Sequence, residues 1–182
     1  NKTWNVLSVA FQPPFDTSFS TITYKVSGDT IINSESYKKI YSSNEENPAN
    51  WNLWCFMRED ANKKVWSRLP GSYSENQMYD FDVSVGDTVM SGLGEIVSLK
   101  IDSISDILVN QEIRNKYWLS CIEFPDYKET WIEGVGSNKG ICWSGSAFIV
   151  GGWYWFLCMS ENGELIYMNP NYESCYLITD IN

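Results

Sequence analysis

No histidine occurs among the 182 residues. The imidazole on which Ser-His-Asp and Cys-His pairs and His-containing zinc sites depend is therefore missing. What remains for catalysis is carboxylate chemistry, and a glycosidase-type mechanism needs two acids about 5 to 9.5 Å apart. Glu129 and Glu133 share a strand face but stand about 13 Å apart at ~3.3 Å per residue, which is too far. Asp80 and Asp82, about 6.6 Å apart on one face, fit the inverting window. Acids alternating along a strand are more simply its wet side. Ser144, between Trp143 and Gly145, has neither a histidine base nor the G-x-S-x-G setting of a nucleophile. The Asp/Asn turns at residues 60–62 and at Asp87 offer oxygen atoms, but there is no twelve-residue EF-hand loop. Turn hydrogen bonding accounts for them, and neither metal nor cofactor is expected.

Five cysteines, Cys55, Cys121, Cys142, Cys158 and Cys175, show no C-x-x-C spacing, so neither a redox dithiol nor a zinc ribbon is indicated. Their odd number leaves at least one thiol unpaired. Structural disulfides, implying an oxidising compartment, and buried thiols acting as small hydrophobes both suit this pattern.

Nine Trp, eleven Tyr and eight Phe make 15% of the chain aromatic. Two groups stand out: residues 142–145 leading to Trp153-Tyr154-Trp155, and Trp131 close to Glu133. Flat rings on a β surface stack on sugars or apolar ligands. Trp131, Glu133, Trp143, Trp153 and Trp155 are accordingly the candidate ligand-binding residues. The competing account is that these rings fill the core.

A net charge of −10 and a pI near 4.4 repel polyanions, which argues against nucleic acid as a partner. No apolar run approaches the ~20 residues of a membrane span, and the densest, residues 147–159, is interrupted by Gly151 and Gly152. Length and composition suit one domain over residues 1–182. Asn1 as the first residue is what removal of a leader leaves.

The elements that must carry these side chains read as strands, because period-two alternation recurs and no helical stripe does. Ile22, Tyr24 and Val26 face one way with Thr23, Lys25 and Ser27 opposite. Tyr79, Phe81, Val83 and Val85 stand against Asp80, Asp82 and Ser84, and Val97, Leu99 and Ile101 against Ser98, Lys100 and Asp102. Residues 51–57 and 153–159 are apolar on both faces, as in covered strands. Weaker strands are expected at 65–69, 117–124, 130–135, 165–168 and 175–178. Turns are expected at 27–30, 60–63, 85–88 and 161–164, with Asn162-Gly163 the strongest hairpin signal. Residues 42–50, 71–76 and 137–145 read as loops. The whole predicts an all-β antiparallel meander closing into a barrel, with a β-sandwich as the alternative.

The runs Gly28-Asp29-Thr30-Ile31-Ile32-Asn33 with Tyr37-Lys38-Lys39-Ile40-Tyr41, Arg58-Glu59-Asp60 with Lys64-Val65-Trp66, and Tyr79-Asp80-Phe81 with Val85-Gly86-Asp87-Thr88 carry a resemblance. Trp131-Ile132-Glu133-Gly134-Val135-Gly136-Ser137 and Asn162-Gly163-Glu164-Leu165-Ile166-Tyr167 extend it. In these motifs the chain resembles a family of exported proteins of Bacteroides-type bacteria, over roughly residues 23–175. The resemblance implies export to periplasm, cell surface or medium, and supplies no catalytic residue. Many similar proteins carry a C-terminal type IX secretion sorting domain, which this sequence does not show. The family pattern also has cysteines flanking the last hairpin, implying a Cys158–Cys175 disulfide. With Cys158 opposite Tyr167, a simple third strand would leave Cys175 about 9 to 10 Å away, so the bridge requires residues 170–174 to fold back. The expected function is an exported, non-catalytic binding or interaction module, recognising carbohydrate or an envelope protein. A carboxylate-dependent hydrolase and a structural or assembly role are the alternatives.

Overall fold

The computed structural model describes residues 1–12, 16–93, 96–146 and 152–178. Strands β1 (Lys2–Gln12), β2 (Asp16–Ile32), β3 (Glu35–Ser43), β4 (Asn52–Glu59), β5 (Lys64–Arg68) and β6 (Asn76–Asp80) form one antiparallel meander. A second meander contains β7 (Thr88–Ser91), β8 (Val97–Val109), β9 (Glu112–Cys121), β10 (Lys128–Ile132) and β11 (Gly136–Ser137). The chain then returns, and β12 (Gly152–Glu161), hairpinned to β13 (Glu164–Met168), pairs with β1. The result is all-β, with sheets of eight and five strands and no helix among the described residues.

The two sheets behave as half-barrels meeting at two seams. At one, Gly92 N–H bonds Gln77 O (3.3 Å), and the Ser91 hydroxyl bonds Met78 O (2.7 Å). At the other, Phe156 N–H bonds Asn138 O (2.9 Å). Isolated bonds in place of a full ladder leave each seam able to open into a groove, and the second does.

Turn chemistry sets the register. Asn33-Ser34, Asn110-Gln111 and Asn162-Gly163 all have positive φ and join β2 to β3, β8 to β9 and β12 to β13, as type I′ hairpins demand. The turn expected at residues 27–30 is instead a bulge inside β2, where register shifts between Val26 and Asp29 and Gly28 takes φ 77°. The strand expected to run to Val85 ends at Asp80, and Val85 is exposed. Asp80 is itself buried beside Lys64 (3.2 Å), so it is not the wet-facing acid that alternation suggests.

One core fills the barrel, with Trp4, Val6, Tyr24, Ile40, Met57, Tyr79, Leu99, Ile101, Tyr117, Leu119 and Trp131 among its members. Val97, Leu99 and Ile101 are fully buried, following their alternation. Residues 138–146, nearly all within the 137–145 segment read from sequence as a loop, thread through this interior. The Tyr79 hydroxyl reaches Gly140 O and Ile141 O, Trp143 Nε1 donates to Tyr24 Oη (3.0 Å), and Ser144 Oγ meets Ser91 Oγ (2.7 Å). A buried loop is tolerable when its polar groups find such partners. We call this segment the plug.

A smaller cluster lies on the outer face, where Leu7, Val9 and Leu157 are covered by Phe19, Trp155, Tyr172 and Leu177. Residues 175–178 are no strand. They lie across β2, with Thr21 Oγ1 and Leu177 exchanging two 2.8 Å bonds. This cover explains why residues 153–159 are apolar on both sides. A bulge near Ser160 places Cys158 opposite Met168, one residue beyond the Tyr167 expected from the turn. Residues 169–174 fold back, and Cys158 and Cys175 are joined as a disulfide with Cα atoms 5.4 Å apart.

Candidate functional site

The β11–β12 seam opens into a cavity of about 370 Å³, lined by Lys116, Trp118, Thr130, Asn138, Trp155 and Tyr167, with residues 169–172 along one lip. β9 supplies Lys116 and Trp118 from its outward face, since Tyr117 and Leu119 between and beyond them are buried. Trp118 is 43% exposed, with Lys116 Nζ 4.3 Å from its ring. From the other sheet come Trp155 on β12 and Tyr167 on β13. Lys139 Nζ stands 3.6 Å over the Trp155 ring, and this lysine is buried at the start of the plug.

Polar atoms of the cleft are partly committed. Asn138 Oδ1 accepts from Thr130 N–H, and Asn169 is used at both ends, donating to Phe156 O and accepting from Asn171 N–H. The Asn138 Nδ2 group and the Asn171 side chain have no partner among the described residues. Neither Lys116 nor Lys139 has an ion-pair partner there. Burial lowers the ammonium pKa of both, and for Lys139 the charge of Glu129 pulls the other way. Among the described residues no carboxylate lines the cavity. Its described lining offers rings, amides, hydroxyls and the Lys116 ammonium, groups that stack and hydrogen-bond.

Behind the cleft lies Glu129, 1% exposed. It accepts from Tyr127 Oη, Trp131 Nε1, Ser137 Oγ and Gly145 N–H. Four donors occupy the lone pairs that a carboxylate offers, which is how a buried acid is made tolerable.

The sequence candidates are scattered over the molecule. Trp131 is wholly buried, its Nε1 shared between Glu129 and Ser144. Glu133 lies 2.8 Å from Lys63 at the rim of a different, mainly apolar cavity of about 350 Å³. Trp143 is stacked on Tyr154 at 3.6 Å inside the barrel. Trp153 is half-exposed and meets Phe11 edge-on at 4.8 Å. Only Trp155 reaches the seam cleft. Asp80 is paired with Lys64 while Asp82 is exposed, so the spacing of these two acids builds no shared site. Among the described residues no group of three or more Cys, Asp or Glu could hold a metal ion, and no helix is long and apolar enough to cross a membrane.

Trp118 and Lys116 were missed from sequence, though a signal exists. In residues 116–121 the order Lys-Tyr-Trp-Leu-Ser-Cys alternates, and Trp118 falls on the polar side with Lys116 and Ser120. An indole in phase with the solvent-facing residues is the mark of a ring held out for contact. No protein-family model, no curated protein and no solved structure matches the chain.

Proposed function

We propose that this protein is an exported, non-catalytic binding module that takes a carbohydrate in the seam cleft. The observation that carries this reading is a cavity of about 370 Å³ combining the exposed Trp118 indole, Trp155 and Tyr167 with the side-chain amides of Asn138 and Asn171 and the Lys116 ammonium, which has no ion-pair partner among the described residues. Sugar rings present apolar C–H faces and a rim of hydroxyls, so flat rings flanked by donors match both. Residues that flank the cleft also bear on the hydrolase alternative. Glu129 is saturated and Glu133 tied to Lys63, so neither faces a ligand as a free acid. Export is supported by the Cys158–Cys175 disulfide, since such bonds persist in oxidising compartments.

Isothermal titration against a panel of neutral and uronic-acid oligosaccharides tests the reading. At least one should bind, and Trp118→Ala should weaken it by about tenfold or more, the loss expected of a central aromatic contact. An unresponsive panel, or a Trp118→Ala variant that binds like the parent, overturns it.

A further inference from the structure

Three thiols remain outside the Cys158–Cys175 bridge, and two of them touch. Cys55 and Cys142 are buried to 0% and 1% exposure, with their sulfur atoms 3.9 Å apart. Cys55 sits on the inner face of β4, opposite Ile40 of β3. Cys142 sits in the plug. Cys121 is elsewhere, its sulfur 3.2 Å from Glu123 Oε2. We infer that Cys55 and Cys142 are the site of a second disulfide, a covalent latch between barrel wall and plug, leaving Cys121 as the single free thiol.

The contact is fixed from both sides. Cys55 belongs to a strand paired along both edges, with β3 and with β5. Cys142 is bracketed by Tyr79, whose hydroxyl holds the carbonyls of Gly140 and Ile141, and by Trp143, whose indole donates to Tyr24. Tyr24 and Trp54 also form an edge contact on the wall side, and Trp54 lies 5.7 Å from Trp143. The sulfurs are thus presented to each other by packed neighbours rather than by mobile ends. Reaching the S–S distance of about 2.05 Å asks each atom to move about 0.9 Å, within what side-chain torsions provide. The bond would enclose β5 through β11, including the whole second sheet, in one covalent loop.

Oxidation balances as a thiol–disulfide exchange. The two cysteines give up two protons and two electrons, and a disulfide donor of the compartment is reduced to two thiols. The first cysteine attacks the donor to form a mixed disulfide, and the second displaces the donor's remaining thiol. Neither sulfur is reachable in the folded barrel, so exchange takes place while the plug is undocked, during folding. Because Asn138 opens the plug and lines the seam cleft, the latch also holds that wall of the cleft in place.

The test is a thiol count on the full chain, refolded from the reduced, denatured state in a mixture of oxidised and reduced glutathione. After alkylation with iodoacetamide in denaturant without reductant, the expected mass corresponds to one modified cysteine. Proteolysis should then yield a peptide joining Cys55 to Cys142. Three modified cysteines, or Cys55 and Cys142 linked to other partners, overturn the inference. A second measurement isolates the latch. In the Cys158→Ala/Cys175→Ala variant, adding reductant should lower the melting temperature by roughly 5 to 15 °C, as loss of a long-loop disulfide does. An unchanged melting temperature there counts against the latch, and the wild-type thiol count decides the matter if this variant fails to fold.

Discussion

Residues 127–146 supply both the most saturated polar cluster of the barrel interior and one wall of the seam cleft, and the two treat their polar atoms in opposite ways. Inside, Glu129 is met by four donors, and Ser144 accepts from Trp131 while bonding Ser91. At the seam, a few residues away, Asn138 spends its oxygen on Thr130 and keeps its amide donors for the cavity. The difference separates polar groups that hold a fold together from polar groups that can meet a ligand. A group with every lone pair occupied has nothing left to offer a ligand, while donors without partners at a wet, ring-lined opening do.

The comparison breaks first at Glu129. Replacing it by Ala takes the shared acceptor from the Tyr127 and Ser137 hydroxyls and the Gly145 amide, and leaves the Trp131 indole with Ser144 alone. It should lower stability by about 3–5 kcal/mol, as removal of one member of a buried charged network does. The urea midpoint measures this, and a loss below 1 kcal/mol would show that the interior network is dispensable. Gly145→Ala strikes the same network through the backbone. Gly145 has φ +71°, and a Cβ there would stand 2.4 Å from Ser91 O. Strain and overpacking together should cost about 2 kcal/mol or more. Thermal melting checks it, with Gly163→Ala as the control, since that turn has open space around its Cβ position despite φ +85°.

How much of this was legible depends on contrast between the two faces of a strand. β8 announces itself because Val97, Leu99 and Ile101 alternate with Ser98, Lys100 and Asp102 over a sheet with one buried face. β1 does not. Trp4 and Val6 face the core while Leu7 and Val9 face the outer cluster, so both phases are apolar and the period-two signal is erased. The plug shows a different limit. Its Gly, Ser and Asn content reads as loop, and loop it is. Nothing local says that it runs inside, because its partners Tyr24, Cys55, Tyr79 and Ser91 come from four separate strands. The candidate indoles failed to converge for the same reason. Trp131 on β10 and Trp143 in the plug point into the barrel, whereas Trp153 and Trp155, two apart on β12, share its outer face, where only Trp155 lies beside the cleft.

On the cleft side the expected effect is smaller in stability and selective for binding. Trp118→Ala removes a half-exposed ring whose one hydrogen bond among the described residues is a long one to Ser105 Oγ (3.5 Å), so its melting temperature should stay within about 2 °C of the parent. A matched loss of stability and affinity in this variant would mean that the cleft is merely another piece of core.

A third cluster, on the outer wall, sharpens the contrast through pH. The Glu75 carboxylate accepts from Tyr37 Oη and from Arg58 Nε (3.0 Å) and Nη2. Partial burial raises its pKa, but the bonds from Arg58 and Tyr37 outweigh that and hold it below its ordinary value of 4.5. A carboxyl whose folded pKa is depressed binds fewer protons when folded than when unfolded, so its contribution is complete above about pH 4.5 and fades as pH falls toward the folded value. Glu75→Gln should therefore cost about 1 kcal/mol at pH 7, the scale of a charge-assisted pair near the surface. The gap from the parent should shrink progressively below pH 4.5, as urea midpoints at several pH values would record. A gap that stays constant down to pH 3 would mean that Arg58 draws nothing from the charge of Glu75. The outer cluster would then resemble the cleft, with groups near each other but not dependent on one another, rather than the interior around Glu129.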